Sequence, residues 1–391
     1  MNKKVIALAV AGALALPLAA KAQTANVTMY GTFRLAVESI DVKDVGRANQ
    51  INSWSSRWGI RGIESIGGGL NGIFQLETGV NLDVPGNATF ESTAAGTIAS
   101  SRYQFITIRE AWVGLNGGFG TVKIGSGLTP YDDVFGMDHL LLSNGLENMN
   151  TLSGGVNPVI ASGNNFSAYG NTGTAAASGA FGQACNNSTA FDARYGSSLR
   201  YDSPNFSGLT FATHFAFLGE NATGFKCKGW DSAVVYRNGP IEAGIAYARH
   251  VDFQFYDGNA WRGHFGWDFG VAKVLGAYER MHYDGNNGTS GEATVRYYSI
   301  GVQVPLGAGT LNAQYGNRNK GATAAGTAVT EIDEGGGKQY SVSYRYNLSK
   351  RTFAFAYAAQ LKAENQARAL TGGAPLGGKA TGFGFGMGHN F

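Results

Sequence analysis

The chain has 391 residues, of which 43% are hydrophobic, only 15% are charged, and 59 are glycine against 8 proline. Too little charge and too much Gly, Tyr and Phe argue against an ordinary soluble enzyme, and no run of about 18 apolar residues follows residue 22, so nothing beyond it spans a bilayer as a helix. The formal net charge of +3 belongs to Lys3, Lys4 and Lys21; without them 27 basic residues face 27 acidic ones, which gives no reason to expect a nucleic-acid partner.

The chain opens MNKKVIALAVAGALALPLAAKAQ: two lysines, an apolar run from Val5 to Ala20, and the small-x-small ending Ala20-Lys21-Ala22. This pattern predicts an export signal peptide over 1–22 and a mature chain, one transmembrane barrel, over 23–391. From Val27, VTMYGTFRLAVE sets Val27, Met29, Phe33, Leu35 and Val37 on one face and Thr28, Tyr30, Thr32, Arg34 and Glu38 on the other, a period-2 strand with an apolar and a polar side. A polar loop is expected over Asp41 to Ser53. WSSRWGIRGIE follows, with Trp54, Trp58 and Ile60 opposite Arg57 and Arg61. After the IGGG turn, Leu70, Phe74, Leu76 and Val80 alternate with Gln75 and Glu77.

A second external loop is predicted over Asn81 to Ser101, before YQFITIREAWVGLNG and its short return FGTVKIGSG. With Arg109 inward, strict alternation sends Ile106, Ile108 and Trp112 outward, and Glu110 with them. A carboxylate in lipid costs a few kcal/mol at mid-depth, so Glu110 is expected near an interface or, the stronger reading, covered by a neighbouring subunit. From about 127 to 193 comes one long interruption that begins with Asp132, Asp133, Asp138 and Glu147 and trails into Gly, Asn, Ala and Ser. Loops of this length in compact domains are usually functional. It is expected to fold into the mouth of a pore, its acids facing wall arginines.

Further hairpins turn at Ser203–Gly208, Asn238–Pro240, Asp268–Ala272, Pro305–Gly309 and Asn347–Lys350. The first carries Arg194 and Arg200 on one face and Tyr195, Leu199 and Tyr201 on the other. The strand from Lys273 carries charge on both parities, so its inner face is open. Gly382, Gly384, Gly386 and Gly388 read as an uncrowded inner face of the last strand. Hairpin arms number sixteen, joined alternately by short turns and long polar loops. That predicts an all-β fold: a transmembrane antiparallel β-barrel of 16 strands, wide enough to hold water.

Cys185 and Cys227, the two cysteines, fall in external loops and an oxidising compartment allows them to pair, which would contribute about 4 kcal/mol through loop-closure entropy. The six histidines show no metal-ligand spacing, and DGNNGTSGE (284–292) departs from the EF-hand pattern. No cofactor is expected. A barrel enzyme needs a Ser–His pair that no spacing selects, and an adhesion barrel would keep its function in its loops; the acid-headed mid-chain loop favours transport over both.

The segments SRWGIRGIESIGGGLNGIFQLE, REAWVGLNGGFGTVKIG, SSLRYDSPNFSGLTF, DFGVAKV and YRYNLSKRT and the aromatic C-terminus resemble, in order and from end to end, the general porins of Gram-negative outer membranes in their beta-proteobacterial and neisserial form. The resemblance implies a homotrimer of sixteen-stranded barrels in the outer membrane, with the third external loop folded inward as a constriction and diffusion passive. It implies a basic wall ladder at Arg57, Arg61, Arg109 and Arg194, facing Asp132, Asp133, Asp138 and Glu147. Relatives often carry an arginine where this chain has Ser126, which weakens the basic side. Phe391, with Met387, Phe385 and Phe383 at alternating spacing, is similar to the signal read by the barrel-assembly machinery. The implied partners are two further copies, outer-membrane lipid and lipopolysaccharide, that machinery, and small hydrophilic solutes. A porin specific for one small anionic nutrient is the nearest alternative.

Overall fold

A computed structural model describes residues 26–43, 46–83, 89–93, 97–102, 106–135, 137, 140, 146, 149, 191, 194–217, 227–253, 256–286, 288, 290–325, 328–332, 336–363 and 379–391. In chain order the elements are β1 (Asn26–Val42), β2 (Gly46–Ser53), β3 (Arg57–Gly67), β4 (Leu70–Val80), β5 (Thr89–Thr93), β6 (Thr97–Arg102), β7 (Ile106–Gly117), β8 (Gly120–Leu128), α1 (Pro130–Phe135), β9 (Arg194–Asp202), β10 (Leu209–Phe217), β11 (Lys228–Asn238), β12 (Ile241–Val251), β13 (Tyr256–Asp268), β14 (Lys273–Gly285), β15 (Glu292–Leu306), β16 (Gly309–Arg318), β17 (Gly321–Ala325), β18 (Ala328–Ile332), β19 (Gly337–Asn347), β20 (Thr352–Ala363) and β21 (Lys379–Asn390).

Seventeen of the strands form one antiparallel sheet. It closes on itself, because β1 pairs with β21 from Thr32↔Asn390 to Val42↔Ala380. β2 and β3 are two halves of a single barrel strand: β1 pairs with β2 along Leu35–Val42 and with β3 along Asn26–Thr32. The wall therefore has sixteen strands, as the hairpin count predicts. β5–β6 and β17–β18 are separate hairpins at the long-loop end.

The predicted polar loop over Asp41–Ser53 is instead mostly strand: β1 runs to Val42 and β2 begins at Gly46. The break falls later, at Trp54–Ser56, where Ser55 takes φ 48°. That break also turns Trp54 inward, against the outward face expected for it. Its indole Nε1 donates to Glu38 Oε1 at 3.1 Å and its ring stacks on Phe355 at 4.6 Å.

Period-2 alternation sorts the two faces. On β1, Val27, Met29, Phe33, Leu35 and Val37 are exposed outside while Thr32, Arg34, Ala36 and Glu38 are buried inside. Outward rings form two girdles, as expected of a membrane barrel. Trp230, Tyr247 and Trp261 touch in sequence at one level, joined around the wall by the row Tyr298, Tyr315 and Tyr340. Phe265, Trp267 and Phe269 belong to the other. Trp261 and Phe269 are eight residues apart on one arm, about 26 Å of strand. The tight turns and Phe391 share the second end, where Phe391 and Gly31 exchange two backbone hydrogen bonds of 3.0 Å.

On β14 the inner face is Leu275, Ala277, Glu279, Met281 and Tyr283; Arg280, His282 and Asp284 point outward beyond the girdle, which is why parity alone leaves this strand ambiguous. The glycines of β21 are not on open wall. A Cβ at Gly384, Gly386 or Gly388 would meet the ring of Tyr357, Phe355 or Phe353 at 2.2–2.6 Å, so the aromatics of β20 lean over the glycine track.

Candidate functional site

Thr129 caps α1: Asp132 N donates to the Thr129 hydroxyl at 3.3 Å and to its carbonyl at 3.1 Å, with Pro130 at the first helical position. The cap starts the mid-chain loop inside the barrel, against β10–β13. Tyr131 donates to Glu279 Oε1 at 2.5 Å, and Glu279 pairs with Arg262 at 3.3 Å; all three are fully buried. At the loop's far end Phe191 stacks on His250 at 4.3 Å, and the Tyr195 hydroxyl lies 2.5 Å from His250 Nε2.

Between these anchors the loop reaches other parts of the wall. Leu146 and Met149 pack with Ile40, Trp54, Tyr297, Phe353, Phe355 and Tyr357, and Gln339 Nε2 donates to the Leu146 carbonyl at 2.6 Å. Wall glycines leave notches for this contact. A Cβ at Gly244 would sit 2.9 Å from Met137 Sδ, at Gly301 2.8 Å from Leu140 Cδ1, at Gly316 2.7 Å from Met149 Sδ and at Gly382 3.1 Å from Leu146 Cδ2. The loop is thus held at several points around the lumen.

Asp132 and Asp133 leave α1 toward arginines. Asp133 Oδ2 lies 2.5 Å from Arg200 Nη2, which also holds Asp202 at 2.7 Å; Lys123 completes the row, 2.9 Å from Asp202. Asp132 faces Arg194, Arg109 and Arg200. Desolvation against the wall pushes both carboxyls above the usual carboxylate range, and these arginines pull back against it. Asp133 remains 37% exposed, so its desolvation is partial. Asp138 and Glu147 lie outside the described residues.

Arg57 and Arg109 converge on a wall carboxylate rather than a loop one. Glu77 accepts from Arg109 Nε at 2.8 Å and from the Tyr30 hydroxyl at 3.2 Å, and lies 3.7 Å from Arg57. Arg194 stands within electrostatic reach of Arg109, Asp132, Glu110 and Glu77, and Arg34 within reach of Arg57, Arg109 and Arg345. Arg61 stands apart, exposed, its guanidinium 5.1 Å from the Tyr30 ring centre.

Glu110 is neither in lipid nor under a neighbour. The β4–β7 register shifts between Glu77 and Thr78, pairing Glu77 with Glu110 but Thr78 with Ile108. The extra residue, Arg109, lets both Arg109 and Glu110 point inward. Ile108 and Val113 stay outside, 60% and 63% exposed, and Trp112 comes inside, where its indole and Gln75 donate to Glu110 Oε2 at 3.0 and 2.7 Å. Tyr195 is corrected likewise: the bulge between Gly125 and Gly127, with Ser197 at φ 48°, turns it into the buried aromatic cluster. Beside α1 a cleft of about 140 Å³ is lined by Glu110, Trp112, Lys123, Ser126, Asp133 and Arg200.

Sequence reasoning placed Arg34, Glu77 and Arg200 on the polar face without assigning them a role. Their parity was the available signal; what selected them, their partners across strands, is not local. Cys227 is buried and disulfide-bonded, and Cys185 lies outside the described residues. Away from the lumen, His282, Asp284 and Glu292 bring three ligand atoms within 4.8 Å of one another, a set that linear spacing conceals.

A profile of the Gram-negative porin family matches residues 7–366. Outer membrane porin protein 32 of Delftia acidovorans is 28% identical over 413 aligned positions covering all of both chains. Major outer membrane protein P.IB of Neisseria meningitidis serogroup B is 26% identical, covering 96% of this chain and 99% of that one. Among solved structures, an anion-selective porin from Comamonas acidovorans superposes with TM-score 0.68 at 22% identity, covering 94% of this chain and all of that one. OmpT of Vibrio cholerae in its trimer form gives 0.58 at 15%, covering 94% and 99%.

Proposed function

The chain belongs to the Gram-negative porin family, and from that premise we propose that its outer-membrane channel is general rather than solute-specific, with selectivity set where Arg57, Arg109, Arg194 and Arg200 face Glu77, Asp132 and Asp133. The channel lies in the outer membrane and passes small hydrophilic solutes by passive diffusion. One observation carries the selectivity reading: the loop bearing Asp132 and Asp133 packs inside the barrel with its acids turned to wall arginines. Opposed charge across a narrowed, water-filled passage makes a transverse field that polar solutes align in and apolar ones cross only by disturbing ordered water.

Asp138 and Glu147 complete the acidic side in this reading, Arg61 acts at the tight-turn mouth, and Cys185 pairs with Cys227. Residues 1–22 are the export signal and Phe391 the assembly signal. The trimer form of the Vibrio protein supports a homotrimer here, seated among outer-membrane lipid and lipopolysaccharide after delivery by the barrel-assembly machinery. No enzymatic activity is assigned. A channel specific for one small anionic solute is the second reading, favoured by Arg34, which adds a buried cation to the ladder; saturable flux of one anion would select it. Reconstitution into planar bilayers tests the function: stepwise conductance in groups of three is expected, and lipid hydrolysis without conductance would overturn it.

A further inference from the structure

At the long-loop end the hairpin β14–β15 closes through DGNNGTSGE, the segment that departs from the EF-hand pattern, and the acids at its two ends meet: Asp284 of β14 stands directly opposite Glu292 of β15, and Asp257 of β13 stands opposite Asp284 on the other side. Three carboxylates thus run side by side across adjacent strands, where like charges repel. The protein compensates one of them. Asp257 lies 3.6 Å from Arg249, and its Oδ1 accepts from the Asp252 backbone N at 2.8 Å and from Asn286 Nδ2 at 2.9 Å. Among the described residues neither Asp284 nor Glu292 has a lysine or arginine partner, although Arg280 and Arg296 face each other four residues down the same two strands. What stands beside them is His282.

His282 is one outward step from Asp284 on β14 and lies opposite Thr294 of β15. Its Nε2 is 3.0 Å from Asp284 Oδ1 and its Nδ1 is 2.8 Å from the Thr294 hydroxyl. With Glu292, this brings one imidazole nitrogen and two carboxylate oxygens within 4.8 Å of one another. When Nδ1–H donates to Thr294, the Nε2 lone pair is left on the carboxylate side, the orientation that a hydrogen bond to the far ring nitrogen gives a metal-ligating histidine. A tetrahedral ion about 2.1 Å from each donor spaces the donors about 3.4 Å apart, and rotation of Glu292, an exposed side chain at the start of its strand, closes the difference.

We infer that His282, Asp284 and Glu292 form a site for a divalent transition-metal ion of the zinc class on the outer rim of the barrel, where it clamps the β14–β15 hairpin. The imidazole decides the class: sets of oxygen donors alone suit calcium and magnesium, whereas a nitrogen donor shifts the preference to zinc and its neighbours. Two carboxylates and a neutral imidazole carry the charge that one divalent ion cancels, with the remaining position left to water. The three side chains point away from the lumen, so the site takes no part in the ion path.

The test uses the folded full-length protein in detergent, stripped with a chelator and titrated with zinc chloride in a calorimeter. One tight zinc ion per chain is expected. His282→Gln removes the nitrogen donor and is expected to weaken that event about 100-fold; Asp284→Asn, Glu292→Gln and Thr294→Val, the last of which frees the ring to turn, about 10-fold each. Calcium chloride in about 100-fold excess over zinc is expected not to displace it. Equal zinc affinity in His282→Gln, or displacement by that calcium, would reduce the cluster to a carboxylate patch and overturn the site. Crystals soaked in zinc chloride give a second reading: an anomalous peak bonded to His282 Nε2 is expected, and a peak at another histidine with none here would refute the assignment. Single-channel conductance is expected unchanged in every variant, which shows that the barrel has folded and separates failure of this site from failure of the channel reading.

Discussion

Glu77→Gln isolates the one carboxylate shared by Arg57, Arg109 and the Tyr30 hydroxyl, at 3.7, 2.8 and 3.2 Å. The substitution keeps shape and an acceptor and removes one negative charge from the wall beside Arg194 as well. For a monovalent ion passing about 8 Å away through pore water, Coulomb's law gives about 0.5 kcal/mol. The change favours anions and disfavours cations by that amount, so the relative shift is about 1 kcal/mol, roughly fivefold in permeability ratio. Reversal potentials in a tenfold KCl gradient read it directly, and high salt on both sides should shrink the effect as screening grows. A shift below about twofold, or one toward cations, would refute the placement of Glu77 in the ion path.

Acidification should raise anion preference. Asp132 and Asp133 have carboxyl pKa values raised by desolvation, against Arg194, Arg109 and Arg200; a raised value means the docked loop binds the proton more tightly, a contribution present at low pH and lost as pH rises through it. Reversal potentials between pH 7 and pH 4.5 should therefore move toward anions, and the double variant Asp132→Asn, Asp133→Asn should remove the trend; a trend of equal size in that variant would contradict it. Gly316→Leu drives a side chain toward Met149, whose Sδ a Cβ would already approach to 2.7 Å, at a cost of about 1–3 kcal/mol. Open-channel noise should rise, and a variant trace as quiet as that of the unaltered protein would show that the loop does not rest there. Glu38 accepts from Asn52, Gln50, Trp54 and Tyr357 at 2.9, 3.3, 3.1 and 2.6 Å. Glu38→Ala leaves the Asn52, Trp54 and Tyr357 donors buried without it and should cost about 3 kcal/mol in denaturant unfolding, with a loss below 1 kcal/mol refuting it.

Much of the wall was legible because each arm repeats one rule. Val27 to Glu38 alternate as the structure has them, and the turns at Ser203–Gly208 and Asn238–Pro240 fall where Gly, Asn and Pro permit only a tight return. The side chains assigned to the wrong face were those at breaks of that rule. One inserted residue at Arg109 reverses the parity of Glu110 and Trp112, and the break at Trp54–Ser56 reverses Trp54. A bulge is chosen by the pairing energy of two strands together, so neither strand announces it alone. The ladder of Arg57, Arg109 and Arg194 came from resemblance, and the structure brings them near one another; Arg61 it leaves two inward steps away on the same strand. Glu77 and Arg200 escaped because their partners lie 32 and 67 residues away in sequence.

The charged constriction is tested most directly by changing Arg57, Arg109 and Arg194 together to Ala and recording single channels and reversal potentials in planar bilayers. Loss of three wall cations is expected to swing ion preference toward cations by more than tenfold and to alter unit conductance, with the barrel still folded. Unchanged preference and unchanged conductance in that triple variant would contradict the account.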